Sequence, residues 1–160
     1  MVRRGLRRRA AGITVVIAVL ALAAGACGDD DGDGETGAGG AIGITLQEFA
    51  IIPSPAQAPA GDVTFDATNE GPDDVHEFVV FATDLAPDAL PTIEDGSVDE
   101  EDEGVELQGE IEDIAVGDTQ SLTLDLAAGN YVLICNIVEE EGGEHEAHYA
   151  EGMRVAFTVE

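Results

Sequence analysis

The sequence predicts an all-β fold. Three observations carry that expectation: apolar residues alternate with a period of two over several short segments, turn residues separate those segments, and no long stretch repeats its apolar residues at helical spacing. From residue 41, Ile42, Ile44 and Leu46 alternate with small or polar residues. Val63, Phe65 and Ala67 follow after the turn Pro59-Ala60-Gly61. Residues 75–81 are more continuously apolar, as a central strand would be. Leu122, Leu124 and Leu126 alternate with Ser121, Thr123 and Asp125. After Ala128-Gly129, Tyr131, Leu133 and Cys135 take one face of a strand, and Val132 and Ile134 the other. The last segment sets Met153, Val155, Phe157 and Val159 against Arg154, Ala156 and Thr158.

One region interrupts the pattern. Residues 83–104 are acidic and broken by proline, and read as an excursion between strands with at most a short helical turn. The run Asp99 to Glu103 is too charged to pack. The carboxylates there and at Glu139 to Glu141 lack the Asp/Asn/Gly spacing of a calcium loop, so solvated charge is their reading.

The termini carry different information. Five of the six basic residues are Arg3, Arg4, Arg7, Arg8 and Arg9, ahead of an apolar run from residue 13 to 26. That run is shorter than the about 20 residues of a membrane span, and with its basic start it reads as an export signal over residues 1–26. Its end, L-A-A-G-A-C, resembles a bacterial lipobox, with Cys27 as the lipidated residue, although Ala24 stands where leucine is usual. Arg3-Arg4 followed by Gly5-Leu6 loosely resembles a twin-arginine signal. Residues 28–40, G-D-D-D-G-D-G-E-T-G-A-G-G, contain no apolar side chain large enough to pack and read as a flexible acidic tether behind Cys27. The folded domain is expected over residues 41–160, tied by a lipid anchor to the outer face of the membrane.

Charge excludes one class of partner. Beyond the signal the chain has one arginine, no lysine and all 34 acidic residues. Nucleic acid is excluded because phosphate binding needs a basic face. A field of this sign would steer a cationic protein partner.

If Cys27 carries a lipid, Cys135 has no disulfide partner in the chain. Close to it in sequence lie His145, His148 and Met153, and His76 stands at the start of the apolar segment 75–81. A thiol, imidazoles and a thioether form a soft-metal donor set. Each residue also has a plainer reading. Cys135 suits a buried inert thiol, His76 a satisfied core histidine, Met153 packing alone, and His145 a solvated side chain in a glutamate-rich loop.

Their order is more specific. N-E-G-P-D-D-V-H-E-F-V-V is followed by A-G-N-Y-V-L-I-C-N and then H-Y-A-E-G-M-R-V-A-F-T-V. Over about residues 43–159 this resembles the cupredoxins, the plastocyanin and azurin family of blue copper proteins. The resemblance implies a Greek-key β-sandwich or barrel of about seven to eight strands. It implies one type 1 copper site cycling between Cu(I) and Cu(II), with His76, Cys135 and His148 as equatorial ligands and Met153 as the weak axial one.

Two features depart from that family. Twelve residues separate Cys135 from His148, where plastocyanin-like sites have only a few, and the insertion contains His145. His148 is favoured for its H-x4-M spacing, with His145 as the alternative ligand. Glu77 directly follows His76, and alternation points it away from the core; near the metal it would lower the potential.

The functional expectation is a single-electron carrier outside the cytoplasmic membrane, working with a redox partner protein. Copper binding, buffering or delivery without a redox partner uses the same residues, and a metal-free interaction domain is the third possibility. An enzyme is not expected, since four protein ligands leave no open position for substrate.

Overall fold

The computed structural model describes residues 40–141 and 144–160. The signal, Cys27 and the tether up to residue 39 lie outside the described residues. The strands are β1 (Ile42–Gln47), β2 (Ala50–Ser54), β3 (Gln57–Ala58), β4 (Gly61–Asn69), β5 (His76–Ala82), β6 (Glu106–Ile114), β7 (Thr119–Leu126), β8 (Gly129–Ile134), β9 (Val138–Glu141) and β10 (Glu144–Ala147). The single turn of helix α1 (His148–Glu151) and the final strand β11 (Arg154–Val159) complete the chain.

Two sheets form a sandwich. One has the order β2-β1-β4-β7, the other β3-β11-β8-β5-β6, and β9 and β10 pair as a separate hairpin. Most neighbours run antiparallel; β1 with β4 and β3 with β11 run parallel. The period-two pattern explains the packing. Ile42, Ile44 and Leu46 of β1 and Val63, Phe65 and Ala67 of β4 meet Phe78, Val80, Tyr131, Leu133 and Phe157 of the facing sheet. At its centre the Phe65 ring lies 5.3 Å from Phe78, tilted, and 5.4 Å from Phe157, edge-on, both arrangements that aromatic pairs prefer.

Strands β2, β3, β6, β9 and β10 are absent from the sequence expectation. In β6 only Ile111 and Ile114 are buried, so an acidic edge strand leaves little apolar alternation to read. Beside the site β6 also bulges: Asp113 adopts φ 53° where the register against His76 and Phe78 shifts.

Residues 83–104 contain no helix, only turns and one isolated bridge, Thr92 with Val98. They run between β5 and β6 as an excursion that also contributes to the core. Leu90 and Val98 are buried against Val79, Phe81, Val132 and Ile134, forming a second apolar cluster on the outer face of the β5–β8 sheet. This covering is why β5 is apolar on both faces. Asp99 to Glu103 remain at the periphery, as their charge requires. The Tyr149 hydroxyl donates to the Pro87 carbonyl (2.8 Å) and accepts the Leu90 N–H (3.1 Å). Gly96 has φ +91°, and a Cβ there would stand 2.9 Å from the Ala147 Cβ, so only glycine allows so close an approach to the chain entering α1.

Because Leu90 is 5% exposed and anchors this cover, Leu90→Ala should destabilise the domain by about 2–3 kcal/mol in urea denaturation. A change under ~0.5 kcal/mol would mean that the excursion contributes no core.

Candidate metal centre

Three loops and a strand start converge at one end of the sandwich. Buried Asn69 organises the first of them. Its side-chain amide donates to the carbonyls of Asp74 (2.8 Å) and Ile114 (2.9 Å), and its carbonyl accepts the Gly71 N–H (2.8 Å). The turn between β4 and β5 is thereby fixed, and His76 enters the core as the first residue of β5. Cys135 follows directly on β8, and its N–H donates to the Met153 carbonyl (3.1 Å). His148 opens α1; its carbonyl accepts the Met153 N–H (3.0 Å).

The long insertion between Cys135 and His148 has a simple form. Val138 pairs with Ala147 and Glu139 with Glu146, so the insertion is a β-hairpin. At its base the His148 N–H donates to the Ile137 carbonyl at 3.0 Å. The chain leaves and returns at one point, so the residues between do not separate Cys135 from His148 in space.

His76, Cys135 and His148 are all 0% exposed, and one donor atom from each lies within 4.8 Å of the others. The two Nδ1 atoms are 3.3 Å apart, and Cys135 Sγ is 3.3 Å from His148 Nδ1. Nitrogens held about 2.0–2.1 Å from one ion at roughly 105° sit about 3.3 Å from each other, so the spacing fits a shared ion. The Nε2 atoms of both rings are buried without a hydrogen-bond partner among the described residues. Met153 is buried in the same core cluster as Cys135. His145 stands apart. It is exposed on β10, its Nδ1 3.8 Å from Glu140 Oε1, and lines a surface pocket with Ile93, Glu94 and Asp95. The hairpin register turns it outwards, away from the cluster of His76, Cys135 and His148.

Burial disfavours the charged forms of Cys135 and His76. Burial pushes the Cys135 thiol up to about 12, although N–H groups of Glu77 and Ile137 stabilise its thiolate; the Glu77 N–H lies 3.4 Å from Sγ. Burial, then the neighbouring His148, lowers His76, against the opposing pull of Glu48 and Asp74. The Glu77 side chain turns away from the ligands and accepts the Asn136 N–H at 2.7 Å. Burial pushes its carboxyl up to about 7, opposed by that bond and reinforced by Glu100, Glu110 and Glu112. Asn136 also grips the excursion, accepting the Val98 N–H (2.6 Å) and donating to Glu100 Oε1 (3.0 Å).

Sequence reasoning missed two groups. Phe49 packs on His148 with ring centroids 5.0 Å apart. Glu48 Oε1 lies 3.7 Å from His76 Nε2. Both stand in the short connection between β1 and β2, which has no motif of its own.

Comparison with solved structures places this architecture. An auracyanin from the photosynthetic bacterium Roseiflexus castenholzii is 21% identical, with a TM-score of 0.52 covering 78% of this chain and 99% of that one. Auracyanin B is 20% identical, with a TM-score of 0.50 over 75% of this chain and 88% of its own. Auracyanin A from Chloroflexus aurantiacus, described as a "blue" copper protein, is 20% identical at a TM-score of 0.47 over 76% and 100%. No protein-family profile and no curated protein matches the chain. The likeness is one of fold.

Two outcomes follow from the titrating groups. A metal must displace the thiol proton, so metal affinity should rise about tenfold per pH unit between pH 6 and 8. Calorimetry in buffers of different ionisation enthalpy should then record about one proton released, and no release would mean that Cys135 does not bind as thiolate. For Glu77, the folded state holds the proton more tightly than the unfolded state. Stability of the metal-free protein should therefore fall as pH rises from about 4.5 to about 7, by on the order of 2–3 kcal/mol. Urea denaturation of Glu77→Gln should show that slope flattened.

Proposed function

We propose that this chain, whose fold is the cupredoxin fold, is a type 1 copper protein that carries single electrons outside the cytoplasmic membrane. The observation that carries the reading is the fully buried cluster of His76, Cys135 and His148, with three donor atoms converging inside 4.8 Å. One soft sulfur and two imidazole nitrogens are the donor set that suits both copper oxidation states. Copper bound there would gain and lose one electron. The protein's part is to keep the ligand positions unchanged while it does so. His148 and Met153 are tied to each other and to the Ile137 and Cys135 backbones by the hydrogen bonds described above. Asn69 fixes the approach to His76.

Met153 is proposed as the weak axial ligand, from its burial beside Cys135 in the core. Phe78, Leu133 and Phe157 exclude water from the sandwich side. We also propose that the protein acts as a carrier rather than an enzyme, since four protein donors would fill the coordination sphere. Export and anchoring at Cys27 are supported by the basic start, the apolar run and the lipobox-like end of the signal. The acidic chain, with its formal net charge of −28, suits a cationic redox partner whose association rate falls with added salt.

Addition of Cu(II) to the folded domain should give an intense visible sulfur-to-copper charge-transfer band that disappears reversibly on reduction. Cys135→Ser and His148→Ala should abolish it, and His145→Ala should retain it. A Cu(II) complex without that band would overturn the type 1 assignment and place the site with copper storage or delivery.

A further inference from the structure

Glu48 is held between two commitments. Its Oε1 accepts the N–H groups of Asp73 (3.0 Å) and Asp74 (2.7 Å), which pins the carboxylate in the turn leading to β5. Its side chain is 13% exposed. The second oxygen, Oε2, is buried and has no hydrogen-bond partner among the described residues. His76 Nε2, 3.7 Å from Oε1, is likewise buried and unpartnered. The 3.7 Å separation is longer than a hydrogen bond, but a buried donor and a buried acceptor left unpartnered each bear a desolvation cost, and a small approach of the two side chains would relieve it. On the opposite side of the ring, His76 Nδ1 lies 3.3 Å from His148 Nδ1, in the proposed metal centre.

A neutral imidazole carries one proton, and the nitrogen that finds an acceptor keeps it. We propose that Glu48 is the positioning residue of His76. Its carboxylate retains the proton on Nε2, frees the Nδ1 lone pair for the metal, and sets a fixed negative charge against that ligand. The inference rests on the copper reading for its redox consequence only; the tautomer belongs to the metal-free protein as well. The glutamate that follows His76 in sequence, Glu77, turns towards Asn136 instead. The carboxylate that reaches the histidine comes from the connection after β1.

The geometry also predicts what each substitution changes. Glu48→Gln keeps an oxygen for the Asp73 and Asp74 N–H groups and for Nε2–H, but removes the charge. Glu48→Ala removes the acceptor altogether. Partners that orient a ligating histidine influence metal affinity by about 10–100-fold. A negative charge beside the ligand favours the more highly charged metal ion, so its loss should favour Cu(I).

Long-range proton–nitrogen NMR of the metal-free domain gives the first test. His76 should be almost wholly Nε2-protonated in the wild type and in Glu48→Gln, and a mixture in Glu48→Ala. Copper-loaded Glu48→Gln should show a higher reduction potential, and Cu(I) competition titration of Glu48→Ala should show affinity reduced about 10–100-fold. An Nδ1-protonated His76 in the wild type would overturn the proposal. So would an unchanged potential in Glu48→Gln, which keeps the backbone contacts and decides the question even if Glu48→Ala does not fold. If the wild type binds Cu(II) without the visible band, the type 1 reading fails. The wild-type tautomer then still decides the role of Glu48.

Discussion

Two imidazoles and a thiol are buried in mutual contact, and this desolvation is the constraint on which the rest of the structure depends. Each buried polar group without a full set of partners costs about 1–3 kcal/mol. Both outer ring nitrogens are in that position. Such an arrangement persists only if the surroundings hold the rings in place. The sandwich core does this on one side, through Phe65, Phe78, Leu133 and Phe157. Backbone hydrogen bonds among Cys135, Ile137, His148 and Met153 do it on the other. A site already close to ligand geometry without metal has little left to rearrange when metal arrives or when its charge changes.

The excursion belongs to the same support. Asn136, next to Cys135, is hydrogen-bonded to both Val98 and Glu77. Tyr149, next to His148, is bonded to Pro87 and Leu90. Two neighbours of the buried cluster are thus clamped by one segment that also closes the outer face of β5 and β8. An acidic, proline-broken segment is here a structural cover whose few apolar residues fall in the right places.

Much of this was legible in the sequence, for identifiable reasons. Period-two alternation located β1, β4, β7, β8 and β11, because their core faces are dense in Ile, Leu, Val and Phe. The continuous apolar run of β5 indicated a central strand but not the segment that covers its outer face. The edge strand β6 and the hairpin strands escaped notice because their side chains are mostly carboxylates, and their pairing is carried by backbone groups that leave no compositional trace. At the site, His76, Cys135 and His148, which the fold brings together, stood out in the sequence by their order. Glu48 was not. It reaches His76 across two loops, and nothing near it in sequence distinguishes it from the other glutamates.

The hairpin closed by Ile137 and His148 bears on how such sites are to be compared between proteins. A count of residues between ligands measures contour length along the chain, whereas coordination depends on where the chain re-enters. Once the ends of an insertion are clipped together, its contents become an appendix that can lengthen, shorten or acquire a new surface without altering the surroundings of the cluster. In this protein the effective interval runs from Cys135 through Asn136 and Ile137 directly to His148. Measured that way, the separation that looks anomalous as a count becomes short, and β9–β10 is left free to diverge as an independent surface module.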